Sequence, residues 1–102
     1  MSSQSSTYQF IVTGSVQGVG FRHFVLSKAQ ELQLSGWVRN LIDGRVEIMV
    51  CGEEVAVNKF AMEVNRGPAA SNVISVERYP VDTNNTFSEF KIEKDGDRPW
   101  QE

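Results

Sequence analysis

The stretch Gly14-Ser15-Val16-Gln17-Gly18-Val19-Gly20-Phe21-Arg22 places three glycines and an arginine between a strand-like run and a helix-like run. Glycine-rich turns at such junctions let backbone N–H groups converge on an anion. The first turn of the helix adds free N–H groups and partial positive charge. Arg22 can close on the same anion through its planar fork of donors. An arginine in a first helical turn opposes the macrodipole unless something negative lies nearby. The segment reads as a cradle for one phosphoryl-sized group. Glycine content alone fits equally well a tight strand-to-helix connection that needs positive φ. There is no G-x-G-x-x-G, and no lysine stands where a Walker A loop requires it, so a nucleotide is not indicated.

Asn40 is the next candidate. It shares a strand side with Val38 and Ile42, and an amide among apolar neighbours needs a hydrogen-bonding reason if buried. Spacing alone favours the plainer reading of an asparagine approaching the Asp43-Gly44 turn. His23, the single histidine, lies off the apolar stripe of its helix and reads as a surface residue. Cys51, the single cysteine, reads as a strand residue near a turn, and a Cys-His pair is not indicated. No H-E-x-x-H, C-x-x-C or carboxylate cluster points to a metal, so neither metal nor cofactor is expected.

These residues sit in a chain of 102 residues, enough for one domain with a core that needs no disulfide or structural metal. Its formal net charge of -3 argues against a general nucleic-acid binder. The balance is uneven. Residues 1–52 hold four basic and three acidic residues, or +1, which leaves -4 for the remainder. The glycine loop lies in the less acidic half, which suits an anionic ligand. One cysteine excludes an intrachain disulfide and fits a reducing compartment. The polar start and the lack of a long apolar run give no leader or membrane span, so a cytoplasmic protein is expected. No large apolar seam stands out, and a monomer is expected.

The elements that must position the candidates follow from periodicity. Residues 1–6 are serine-rich and read as a flexible arm. Tyr8, Phe10 and Val12 alternate with polar residues and predict a first strand up to Gly14. Phe21, Phe24, Val25, Ala29 and Leu32 form a helical stripe. Gly36 opens a second strand, Trp37 to Ile42, and Asp43-Gly44 signals a hairpin into a third, Arg45 to Cys51. Gly52 is read as the end of that strand. Glu53 and Glu54 favour a helix start, with Val57, Phe60, Ala61 and Val64 on its apolar face and Gly67-Pro68 as its stop. Val73 to Tyr79 predicts a fourth strand, halted by Pro80. Residues 82–86 read as a polar loop, Phe87 to Ile92 as a fifth strand, and residues 95–102 as a loosely held tail. The order is α+β: a ferredoxin-like β-α-β-β-α-β two-layer sandwich over 7–94, with a mainly antiparallel sheet and an added fifth strand.

The glycine-rich segment closely resembles the signature loop of the acylphosphatase family. A second block, Gly36-Trp37-Val38-Arg39-Asn40 with Asp43-Gly44 and Val46-Glu47, resembles that family's other signature. The likeness runs from about Tyr8 to Ile92. It implies a metal-independent hydrolase cleaving the carboxyl-phosphate bond of a small acyl phosphate to a carboxylate and inorganic phosphate. Arg22 would match the phosphate-binding arginine and Asn40 the asparagine that orients the attacking water. Main-chain N–H groups of Ser15, Val16, Gln17, Gly18, Val19 and Gly20 would form the cradle. Inorganic phosphate, as product, would inhibit. Ser15 stands where many relatives carry a basic residue. A related domain begins large hydrogenase-maturation proteins, but the absence of a zinc-finger or transferase region here favours a free-standing enzyme.

The chemistry asks little of side chains. An acyl phosphate expels a carboxylate whose conjugate acid has a pKa of roughly 4, so a general acid is scarcely needed. Charge spreads over the phosphoryl oxygens in the transition state, where preorganised donors act best. Two other readings are open: a ferredoxin-like module that binds the anion without turnover, and RNA binding on an open sheet face. The latter lacks the basic and aromatic pattern it needs.

Overall fold

The computed structural model describes residues 5–82 and 86–101. Seven elements follow one another: β1 (Ser5–Ser15), α1 (Phe21–Glu31), β2 (Ser35–Asn40), β3 (Val46–Glu53), α2 (Glu54–Arg66), β4 (Asn72–Pro80) and β5 (Phe90–Ile92). The sheet order is β4-β1-β3-β2-β5. The β1, β2, β3 and β4 strands pair antiparallel, and β5 adds to β2 in parallel. This is the predicted ferredoxin-like plan with its added strand.

Side chains alternate across a strand, and the register shows the result. Phe10 pairs with Ile48 and Val12 with Val46 in one direction, and Val38 with Ile48 in the other. These residues are fully buried under Phe21, Val25, Ala29, Val57, Phe60 and Val64 of the two helices. The helices therefore cover one face. Phe10 and Phe60 meet with ring centroids 5.8 Å apart, and Phe60 and Phe90 at 6.2 Å, within the range of favourable aromatic pairs.

Element ends differ from periodicity where long-range pairing decides them. The first strand begins at Ser5, not Tyr8, because Ser5 and Ser6 pair with Glu53 and Gly52. Those two residues of the expected arm are thus sheet residues, and residues 1–4 lie outside the described ones. The same pairing carries β3 through Gly52 rather than ending it at Cys51. Leu41 and Ile42 leave β2 because the hairpin begins there, with Leu41 N–H donating to Arg45 O at 2.8 Å and Gly44 N–H to Leu41 O at 3.1 Å. The fifth strand shrinks to Phe90–Ile92, the stretch that finds partners in Gly36–Val38. Of the loop read over 82–86, positions 83–85 lie outside the described residues.

The tail corrects the expectation most. Residues 95–100 are docked as a strap along the sheet. Leu41 and Gly96 form a parallel bridge, Gly96 N–H donates to Asn40 O at 2.9 Å, and Ile42 N–H to Gly96 O at 3.0 Å. Further on, Trp100 N–H donates to Glu47 Oε2 at 2.8 Å, and Arg39 Nη2 to Arg98 O at 3.1 Å. The physical reason is Glu47. Its side chain is 0% exposed on the face away from the helices, and a buried carboxylate must be surrounded by donors. Gln9 Nε2 at 2.6 Å, Arg39 Nε at 2.7 Å and the Trp100 amide supply them. Ile11 and Met49 are buried on this same face.

Candidate functional site

The glycine segment forms the turn from β1 into α1. Val16 plugs into the core at 1% exposed and anchors the loop, while Ser15, Gly18 and Gly20 stay at the surface. Gly18 has φ 73° and Gly20 φ 77°, and Gly20 is the helix N-cap in a left-handed conformation. A side chain at either would be strained by the backbone, although open space surrounds both. The helix has no side-chain cap and no acidic residue in its first turn. The first backbone donor of this region with a protein partner is Phe24 N–H, to Gly20 O at 3.0 Å. Among the described residues, the N–H groups from Val16 through His23 donate to no other protein group. That run is an array of free donors at the positive end of a helix.

Arg22 lies in the first turn of α1 with its side chain 38% exposed, and its Nη1 is 3.9 Å from Asp95 Oδ1 on the strap. Sequence reading missed Asp95. The Asp95-Gly96 pair carries a turn signal, but nothing local says that the turn comes back to Arg22. His23 is exposed, as predicted. Cys51 is a free, half-buried strand residue.

Asn40 ends β2 on the helix side of the sheet, the side of Val38. It is only 9% exposed, and its Oδ1 is buried without a hydrogen-bond partner. Its backbone carbonyl is taken by Gly96, so the strand end is pinned while the amide oxygen stays available. The adjoining turn is stapled: Arg45 N–H and Nε donate to Asp43 at 3.1 and 2.9 Å. The Arg45 side-chain hydrogen bond, reinforced by its backbone N–H, holds the Asp43 carboxyl below the usual carboxylate range. Gln17 joins the loop to this hairpin, its Nε2 donating to Leu41 O and Arg45 O, both at 2.8 Å. Loop and Asn40 are therefore fastened to one end of the sheet. Among the described residues no group of three or more His, Cys, Asp or Glu could hold a metal ion.

The fold gathers a turn of backbone N–H groups without protein partners among the described residues, Arg22 and the buried Asn40 amide at one end of a small α+β protein. The family model for acylphosphatase matches residues 8–92. An acylphosphatase from Koribacter versatilis is 42% identical over 93 residues, 91% of this chain and 84% of that protein. The crystal structure of acylphosphatase from Bacillus subtilis superimposes with TM-score 0.84 at 39% identity, covering 88% of this chain and 99% of that one. Full-length HypF, in a phosphate- and nucleotide-bound form, matches with TM-score 0.86 at 33% identity over 95% of this chain but 13% of its own. The chain belongs to the acylphosphatase family, and it is an enzyme of the class that hydrolyses acyl phosphates.

Proposed function

We propose that the loop from Ser15 to Gly20 and Arg22 hold the phosphoryl group of a small acyl phosphate while Asn40 aligns the water that attacks it. The observation that carries this reading is the run of N–H groups from Val16 through His23, unpaired among the described residues, together with the Arg22 side chain. Such donors stabilise charge that builds on phosphoryl oxygens without needing to reorganise. Asn40 Oδ1, buried and without a partner among the described residues, is the acceptor that can take a hydrogen bond from the water and turn its lone pair towards phosphorus. The water oxygen bonds to phosphorus as the bond from phosphorus to the acyl oxygen breaks. The carboxylate leaves with that electron pair, and the phosphate or solvent takes the water proton. Inorganic phosphate fits the same donors and is both product and competitive inhibitor. The protein acts as a monomer in the cytoplasm and needs no metal.

The test is hydrolysis of acetyl phosphate or benzoyl phosphate by pure, folded protein with EDTA present. Turnover that phosphate inhibits competitively is the expected result. Phosphate binding without any turnover would instead make the protein an anion-binding module.

A further inference from the structure

Gln17 lies within the loop, yet its side chain points out of it. The amide spends both hydrogens on the two carbonyls that frame the hairpin mouth, Leu41 O and Arg45 O, at 2.8 Å each. Leu41 directly follows Asn40, and Arg45 directly precedes Val46, the register partner of Asn40. The glycines around Gln17 impose no stiffness of their own, since Gly18 and Gly20 have backbones that few other residues adopt and open space around them. Among the described residues, Gln17 makes the side-chain hydrogen bonds that tie this loop to the hairpin turn directly after Asn40.

We propose that Gln17 is a positioning residue for the hydrolysis: it fixes the spacing between the phosphoryl cradle and the Asn40 amide. The role rests on the reading of Arg22 and Asn40 given above. Its side chain acts through Asn40, while its main-chain N–H stays in the cradle whatever side chain it carries. Phosphate is held by the loop N–H groups and Arg22, which Gln17 does not replace. The attacking water is placed from the other side of the clamp, by the strand. Loosening the clamp therefore leaves phosphate bound but lets the water drift from the line of attack. A misplacement of about 1 Å is enough to cost on the order of a hundredfold in rate.

The experiment is a double-mutant cycle in the full chain. Gln17→Leu keeps the approximate shape and removes both donors, with Gln17→Met as the alternative should Leu unfold the loop. Each is made alone and together with Asn40→Ala. Acetyl phosphate kcat, the inhibition constant of inorganic phosphate and thermal unfolding are measured. In the wild-type background, kcat should fall about tenfold to a hundredfold, and the phosphate constant should change by less than about threefold. In the Asn40→Ala background the same substitution should change kcat little, because coupled residues are not additive. A merely structural role predicts instead losses that multiply, or phosphate binding that weakens in step with kcat, and either result overturns the proposal. So does an unchanged kcat in an enzyme whose wild type is active. A wild type without hydrolysis is a different failure. It removes the reading of the site itself, and the role of Gln17 falls with it.

Discussion

The glycine-rich loop and the C-terminal strap meet at the same end of β2 and are built by opposite rules. Among the described residues, the loop and helix start leave the N–H groups from Val16 through His23 without protein partners, and one buried valine and one glutamine hold the loop in place. The strap spends backbone groups at three of its residues on protein partners. Gly96 pairs in both directions, the Trp100 amide goes to Glu47 and its carbonyl to Gln9, and the Arg98 carbonyl goes to Arg39. The difference teaches how to tell a binding loop from a structural one in this fold. Under the proposed function, free donors beside an arginine await an anion. Satisfied donors around a buried carboxylate are part of the core. Asp95 is where the two regions touch, across 3.9 Å to Arg22.

Substitutions on either side should keep these regions apart in their effects. Arg22→Ala should have the largest consequence, a loss of kcat/KM on the order of a thousandfold or more, with little change in thermal stability because the side chain is part exposed. Steady-state kinetics beside a melting curve checks both halves. Glu47→Ala should do the reverse. It leaves Arg39, Gln9 and the Trp100 amide without their acceptor, and breaking a buried pair costs about 3–5 kcal/mol. Urea unfolding measures this, and a stability within about 0.5 kcal/mol of wild type would show that the strap is not anchored there.

Asn40→Ala belongs to the loop side. It should lower kcat by on the order of a hundredfold, as loss of a positioned polar group does, while the phosphate inhibition constant stays near normal. The smallest effect should come at the contact between the regions. Asp95 is 64% exposed and its pair with Arg22 is long, so it acts as a weak resident anion. Asp95→Asn should lower KM and the phosphate inhibition constant together by about threefold at low ionic strength, the size of an exposed ion pair. The gain should vanish at high salt. A fall in kcat instead would show that Asp95 orients Arg22 rather than competing with its ligand.

How legible these regions are depends on how local their causes are. The loop is readable because positive φ at Gly18 and Gly20, the uncapped helix start and the arginine all lie within a few residues. The Asp43-Gly44 turn and the two helical stripes are readable for the same reason. Glu47 misleads. Between Val46 and Ile48 it looks like the solvent-facing residue of a half-buried strand, yet it is fully buried. Its partners come from positions 9, 39 and 100. The tail looks loose because its Gly, Pro and charged residues carry no periodic pattern. Its order comes from donors and acceptors far along the chain. Asn40 is intermediate: its type and position are visible, but nothing local separates a turn-flanking amide from a buried one with a free oxygen.

By itself the amino-acid sequence determined the element order, the glycine-rich turn that leads into Arg22, and through two resembling motifs the family and its chemistry. These are properties of backbone conformation and short periodicity, which neighbouring residues set. The tertiary structure alone decided that residues 95–100 close over Glu47, that Asp95 reaches Arg22, and that Gln17 grips the hairpin beside Asn40. Each of these joins groups that satisfy one another's hydrogen bonds or charges across long stretches of chain, and no local pattern encodes such a pairing before the sheet brings them together.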